Sequence, residues 1–295
     1  MKVVMRKLLQ IICAHKLLIK GFWKIYQNPY FKSFFKTMKT NIIIFLTIIY
    51  LNNVFAQNKG LVKYGFIESL GIGDSKGIDS NSYLLFNSEM SYFVTAKDSL
   101  ESQTLKQTSF SNGKKASVYL GHKTSPQGDQ VVFNPKKNTI WSNLLYRKQI
   151  YVKEVTFKIN WRLEKETKKI GNFNCSKATC NFRGRDYIVW YAKEIPANFG
   201  PWKLNGLPGL ILEAYDIEKN VLWYFKSIEY PSKTLEKVSY LEIPKNNKLV
   251  TYNDFKKFQK IQIEVLSDKQ KVTQKSFKDV IFIEPELKDM FIECE

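Results

Sequence analysis

Short apolar runs, each closed by a turn-like cluster, recur along most of this chain. Residues 60–68 (GLVKYGFIE), 82–86 (SYLLF) and 91–94 predict strands, the first two separated by a Gly/Asp/Ser cluster at 71–82. A polar stretch at 97–128, broken only by 116–120, predicts a long loop or a weakly ordered hairpin. Strand-like runs then follow at 130–133, 139–144, 149–152, 155–163, 170–182, 187–192, 210–215 and 221–230. Many short strands without alternating helices predict a mainly β (α+β) fold built on an antiparallel sheet rather than on βαβ units. Two stretches depart from this pattern. Thr251, Tyr252, Asn253 and Asp254 have capping spacing, and Phe255, Phe258, Ile261 and Val265 then recur at helical intervals. A second helix start falls at 276–280, although 281–283 looks more like a last strand before Pro285. No linker or repeat divides 57–295, which predicts a single domain there.

The start of the chain points to a compartment. Met38, Lys39, Thr40 and Asn41 lead into an apolar run at 42–51, and Val54-Phe55-Ala56 precedes Gln57. A short positive start, an apolar centre and small residues at the end predict a secretory signal peptide over 38–56. The run is too short for the roughly 20 residues that a membrane-spanning helix needs, so no integral membrane segment is expected in the mature chain. An uncleaved anchor is the alternative. Residues 1–37, basic and irregular, are expected to be an upstream extension ahead of a true start at Met38. The expected location is the periplasm or the outer-membrane surface. No cysteine follows the cleavage site, so lipid anchoring is not indicated.

Charge looks informative until it is located. Of the 46 Lys/Arg residues, nine lie in 1–56, which holds no acid, so the formal +19 falls to +10 beyond that point. Only four of the remaining basic residues are arginines (Arg147, Arg162, Arg183 and Arg185), and recognition of phosphate and base edges favours arginine. A Lys-rich solvated surface fits better than a nucleic-acid partner.

Few residues offer chemistry. His122 is the one histidine after the leader and lies in the polar stretch, which removes most metal sets and any Ser-His or Cys-His pair. Cys175 has no neighbouring histidine to activate it, and Lys177 is a weak substitute. Cys175 and Cys180 on one straight strand point to opposite faces and bridge only across a turn, while Cys294 could reach either. Glu164/Glu166, Glu213/Asp216 and Glu284/Glu286 are paired acids of the kind also common on solvated sheet faces. Arg183-Gly184-Arg185 would put two arginines on one face of a strand, with Gly184 allowing close backbone approach. Such a pair clamps a carboxylate or phosphate, or pairs with a cross-strand acid. Arg183, Arg185, Lys177 and Trp190 are the candidate ligand contacts. No catalytic, cofactor-binding or metal-binding set is assigned, and no cofactor is expected.

The densest punctuation is at 200–214 (GPWKLNGLPGLILEA). No helix start follows it, so it lacks the arrangement that binds phosphate. Pro208-Gly209 fits the centre of a type II turn feeding a buried strand. Trp202 and Leu204 would then fold back onto the sheet, making the segment a structural latch.

The blocks Cys175-Ser-Lys177-Ala178, Phe182-Arg183-Gly184-Arg185, Trp190-Tyr191, Glu194-Ile195-Pro196 and Gly200-Pro201-Trp202-Lys203 end in Gly206-Leu207-Pro208-Gly209-Leu210-Ile211. In this the chain resembles the GLPGLI family, exported envelope proteins of Bacteroidota-type bacteria also called the Porphyromonas-type gingivalis family of unknown function. The resemblance is dense over 168–216 and implies no catalytic residues. By pattern, 187–215 also resembles the lipoprotein-carrier (LolA-like) architecture, implying a strongly curved antiparallel sheet or half-barrel with one or two helices. The role expected from all this is non-enzymatic, binding a lipid-like ligand or an envelope protein partner. A hydrolase or metal-dependent enzyme using carboxylates near Arg183/Arg185 is one alternative. A structural module on an outer-membrane barrel is the other.

Overall fold

The structure is a computed structural model and describes residues 29–30, 59–68, 70, 78–100, 124–146, 148–234, 249–276 and 286–295. The chain divides into two compact units, Met1–Gln57 and Asn58–Glu295, and the architecture below is that of the second. The expected signal peptide, His122, the run at 116–120 and the expected elements at 277–283 fall outside the described residues.

Among its described residues the second unit is mainly β with one α-helix. Its strands are β1 (Gly60–Glu68), β2 (Ile78–Phe86), β3 (Ser91–Thr95), β4 (Asp129–Asn134), β5 (Thr139–Tyr146) and β6 (Lys148–Glu154). They continue with β7 (Arg162–Ile170), β8 (Phe173–Phe182), β9 (Arg185–Ala192), β10 (Leu210–Asp216), β11 (Val221–Glu229) and β12 (Leu249–Thr251). All twelve form one open curved sheet in the order β12-β6-β5-β4-β3-β2-β1-β11-β10-β9-β8-β7. Pairing is antiparallel throughout, except that β12 runs parallel to β6. The closing contact of β1 with β11 joins the early strands to the late ones.

Alternation along the strands sets two layers. On one face Val62, Tyr64, Phe66, Leu84, Phe86, Phe93, Val131, Phe133 and Ile140 join Tyr187, Val189 and Trp223 in the main core. The opposite face of β2–β4 buries Tyr83, Leu85, Tyr92, Val94 and Val132. Burial on both faces explains why these strands read as nearly continuous apolar runs.

Two sequence expectations change here. The run 155–163 is not a strand until Arg162. Phe157 instead packs on Phe182 with ring centroids 4.9 Å apart, Ile159 is buried, and the Trp161 indole donates to the Asn205 carbonyl at 2.8 Å. Of these, Trp161 reaches the 200–214 segment, and the run pairs in no ladder before Arg162. The strand that follows, β7, is an exposed, charged edge (RLEKETKKI), a composition that protects an edge from further pairing.

Helix α1 (Tyr252–Ser276) begins where capping spacing placed it, with the Asp254 amide donating to Thr251 Oγ1 at 3.2 Å. Its buried positions are Phe255, Gln259 and Ser267, while Ile261 and Val265 are exposed. The helix is turned so that Phe255 meets Ile150 and Val152, and Gln259 meets the segment 287–295. Polar contacts, which periodicity in apolar residues does not register, thus set its rotation.

Candidate functional site

Strands β8 and β9 form a tight hairpin whose last pair is Phe182 with Arg185. Arg183 and Gly184 are its two turn residues, with φ of +55° and +80°, as a two-residue hairpin of the primed type requires. The expectation that Arg183 and Arg185 share a strand face is therefore corrected: one is in the turn and the other begins a strand. Gly184 does permit close approach. A Cβ there would lie 2.8 Å from both the carbonyl oxygen and Sγ of Cys294, so the segment 287–295 rests directly on this turn.

That segment is what the buried cations hold. Arg185 Nη1 donates to Asp216 at 2.9 Å, Nη2 to the Phe291 carbonyl at 2.9 Å and to that of Lys288, and Nε to the Ile292 carbonyl at 3.0 Å. The fixed fork of five guanidinium donors makes such simultaneous grips feasible. The other Asp216 oxygen accepts from the Val221 amide at 2.9 Å.

Arg183 pairs with Glu154, with Glu295 at 3.0 Å and with Glu293 at 3.7 Å, and its guanidinium carbon lies 3.6 Å from the Tyr252 ring centroid. Lys203 reaches Glu154 and also Glu293, the latter at 2.5 Å. The Gln259 side chain donates to the Glu293 carbonyl at 2.7 Å, and the Cys294 amide donates to the Arg183 carbonyl at 3.0 Å. Arg183, Arg185, Lys203, Glu154, Asp216 and Glu293 are all buried.

Burial, with Glu154 adding to it, pushes the Glu293 carboxyl above its ordinary value, against the opposing pull of Lys203 and Arg183. Burial and the same Glu293 push the Tyr252 phenol upward. Chemically the cluster is a closed set of mutually neutralising ions. It offers no free base or nucleophile to solvent, and it suits holding a polypeptide segment through carbonyls and carboxylates.

The 200–214 segment supplies Lys203 and crosses the main-core face between β9 and β10. Ile195, Ala197 and Phe199 point inward on the approach, and Leu204 and Leu207 are buried beyond it. Trp202 stacks on Trp223 at 5.9 Å and 8°, while Trp223 stacks in turn on Phe66 at 5.2 Å. The Tyr64 hydroxyl donates to the Ile211 carbonyl at 2.6 Å, tying β1 to the end of the crossover.

The expected type II turn is absent. The Gly209 amide donates back to Leu207 at 2.9 Å across Pro208, a three-residue turn, and the Leu210 amide goes instead to the Ile195 carbonyl at 3.2 Å. Gly209 is required by space as well as by conformation. With φ at +156°, a Cβ would sit 2.4 Å from the Ala192 carbonyl oxygen. Gly206 differs: φ is +90°, but a Cβ would meet only the Trp161 indole nitrogen, at 3.8 Å. Gly200 is held close, its Cβ position 2.8 Å from Ile211 side-chain atoms, while Pro201 is buried and Pro208 exposed.

The remaining candidates do not join this cluster. Lys177 pairs with Glu166 at 2.8 Å on the sheet surface. Trp190 is buried under the Lys168 ammonium, 4.5 Å from its ring centroid, and Lys168 pairs with Glu213 at 2.5 Å. Glu164 pairs with Arg162 at 3.2 Å. Cys175, Cys180 and Cys294 are all free thiols, and burial pushes Cys175 up to about 11 and Cys180 up to about 12. Among the described residues no group of three or more His, Cys, Asp or Glu side chains is placed to hold a metal ion. No described helix is long and apolar enough to cross a membrane.

A small cleft beside the cluster, of about 120 Å³, is lined by Arg185, Asp216, Glu218 and Lys288 among others. Its charges are used locally, since Lys288 lies 3.5 Å from Glu218 and 3.4 Å from Glu286.

A family model described as "Protein of unknown function (Porph_ging)" matches residues 183–213. This signature segment is similar to the Porph_ging family over its matched length. That is the family that the motif blocks resemble, and the match runs from the hairpin turn to the middle of β10. The Porph_ging segment therefore contains all three buried cations of the cluster and the whole crossover. The acids facing those cations mostly lie outside it, at Glu154, Asp216, Glu293 and Glu295. A search of curated proteins finds no match. Two solved structures of PNGF-II, in P21 and C2 space groups, are similar at 16% and 17% identity with TM-scores of 0.44 and 0.43. They cover 68% and 67% of this chain, which spans about a third (32%) of each of theirs.

Of the cluster, sequence reasoning picked out the two arginines and, as one of its acid pairs, Asp216, and met Lys203 only inside a motif. Glu154, Glu293 and Tyr252 carried no local signal, because nothing near them in sequence distinguishes them from solvated residues.

Proposed function

We propose that this chain is an exported envelope protein, periplasmic or at the outer membrane, that binds a protein partner and is not an enzyme. One observation carries the reading. The residues that the sequence offers for ligand chemistry are engaged by the chain itself, and Phe199, Leu204, Leu207 and Trp202 occupy the aromatic face of the sheet where an acyl chain would otherwise lie. A lipid-like ligand therefore has less to support it than a protein partner met on the outer surface. A hydrolase is also less supported, since the carboxylates near Arg183 and Arg185 are buried in ion pairs.

The test begins with the mass of the protein isolated from cells, which should start near Gln57. In-cell crosslinking should then give a defined envelope protein, with crosslinks mapping to exposed strands or to α1. Saturable uptake of a fluorescent fatty acid by the purified protein would overturn the reading in favour of a lipid carrier. A mature chain that retains residues 1–56 would overturn the exported location.

A further inference from the structure

The ion cluster has the chemistry of a peptide-binding site that happens to be filled from within. Arg185 grips two main-chain carbonyls at 2.9 and 3.0 Å, at Phe291 and Ile292, plus that of Lys288. The Arg183 carbonyl takes the Cys294 amide, and the missing Cβ of Gly184 leaves room for that residue's backbone. Lys203 and Arg183 hold Glu293, Arg183 also holds Glu295, and Phe291 provides an apolar anchor, edge-on to Phe255 at 6.4 Å. Backbone grips are tolerant of sequence, whereas the buried carboxylate and the phenyl ring are selective.

We infer that Arg183, Gly184, Arg185 and Lys203 form a recognition cradle for an acidic peptide with the pattern Phe-x-Glu-x-Glu. In this chain it is occupied by residues 287–295. The inference is independent of the envelope reading, since it concerns only how the signature meets its own chain. It also gives the Porph_ging segment a binding role rather than a merely structural one.

The test uses the full chain carrying Phe291→Ala and Glu293→Gln, so that the inner occupant is weakened, with the synthetic peptide LKDMFIECE as probe. A tethered segment competes at an effective concentration on the order of millimolar, so the peptide is titrated to about that level. The expected result is a melting temperature that rises progressively with peptide, because ligand binding to the folded state stabilises it. A peptide carrying the same two replacements should leave it flat. Should the variant be unfolded alone, the native peptide is expected to restore the β-sheet circular dichroism. An unchanged melting curve or spectrum, together with no rise in anisotropy of the fluorescein-labelled peptide, would overturn the inference.

Discussion

The surface of β7 and β8 and the cradle beneath the hairpin use the same residue types at similar distances, yet they are physically different places. On the surface, Lys177 meets Glu166 at 2.8 Å, with the Glu166 side chain 63% exposed. In the cradle, Lys203 meets Glu293 at 2.5 Å, and those side chains are 1% and 9% exposed. Water screens the first pair and competes for both partners, so its net effect is small. The second pair has lost its water, so each ion depends on the others for its solvation. A buried ion pair is weak evidence for stability, but removing one member leaves an uncompensated charge inside. The lesson is that the signature's cations matter through what covers them, and what covers them is the segment 287–295.

The largest effect is expected from Lys203→Met, which leaves Glu154 and Glu293 facing each other with only Arg183 to balance them. Loss of one buried partner costs roughly 3–5 kcal/mol, measured by urea unfolding. A loss below about 1 kcal/mol would mean that the cluster is hydrated like the surface pair. The next effect separates the two glycines of the crossover. Gly209→Val drives a side chain against the Ala192 backbone and should cost about 3 kcal/mol, whereas Gly206→Ala meets only positive φ and should cost about 1 kcal/mol. Equal costs would remove the steric role given to Gly209.

A smaller effect is a dependence on pH. The folded value of Glu293 lies above its ordinary 4.5, so its contribution is complete below that range and is lost as pH rises through the raised value. The stability difference between the native chain and Glu293→Gln should therefore move in favour of Gln as the pH rises above 4.5. Movement towards the native chain would reverse the assigned cause. Least affected should be Glu166→Gln, whose melting temperature is expected to match that of the native chain, since the Glu166 side chain is itself 63% exposed.

Most strands were legible because apolar alternation is a local property. Gly60–Glu68 and the runs at 187–192 and 210–215 read directly, as did the capped start of α1. Strand β7 was not legible, because an edge strand that avoids further pairing must look polar. The hairpin at Arg183-Gly184 had an available signal: two strand-like runs joined across an X-Gly pair. The arginines there were instead read along a continuous strand.

The resemblance to the family was legible in the motif blocks, but the partners of the buried cations were not. Arg185 and the carbonyl of Phe291 are 106 positions apart, and Lys203 and Glu293 are 90 apart. Nothing local marks Glu293 as the buried acid, since only the three-dimensional path of 287–295 decides it. The three-residue turn at Pro208 was missed for the same reason. The Leu210 amide is taken by Ile195, a partner that a local turn rule does not include.

The most direct test of the account is a double-mutant cycle between Lys203 and Glu293, using Lys203→Met, Glu293→Gln and both together, with stability read by urea unfolding. If the signature acts through the segment 287–295, the double variant should be more stable than the sum of the single losses predicts, by roughly 1 kcal/mol or more. Losses that add to within about 0.5 kcal/mol would show that the two residues do not act together, and would contradict the account.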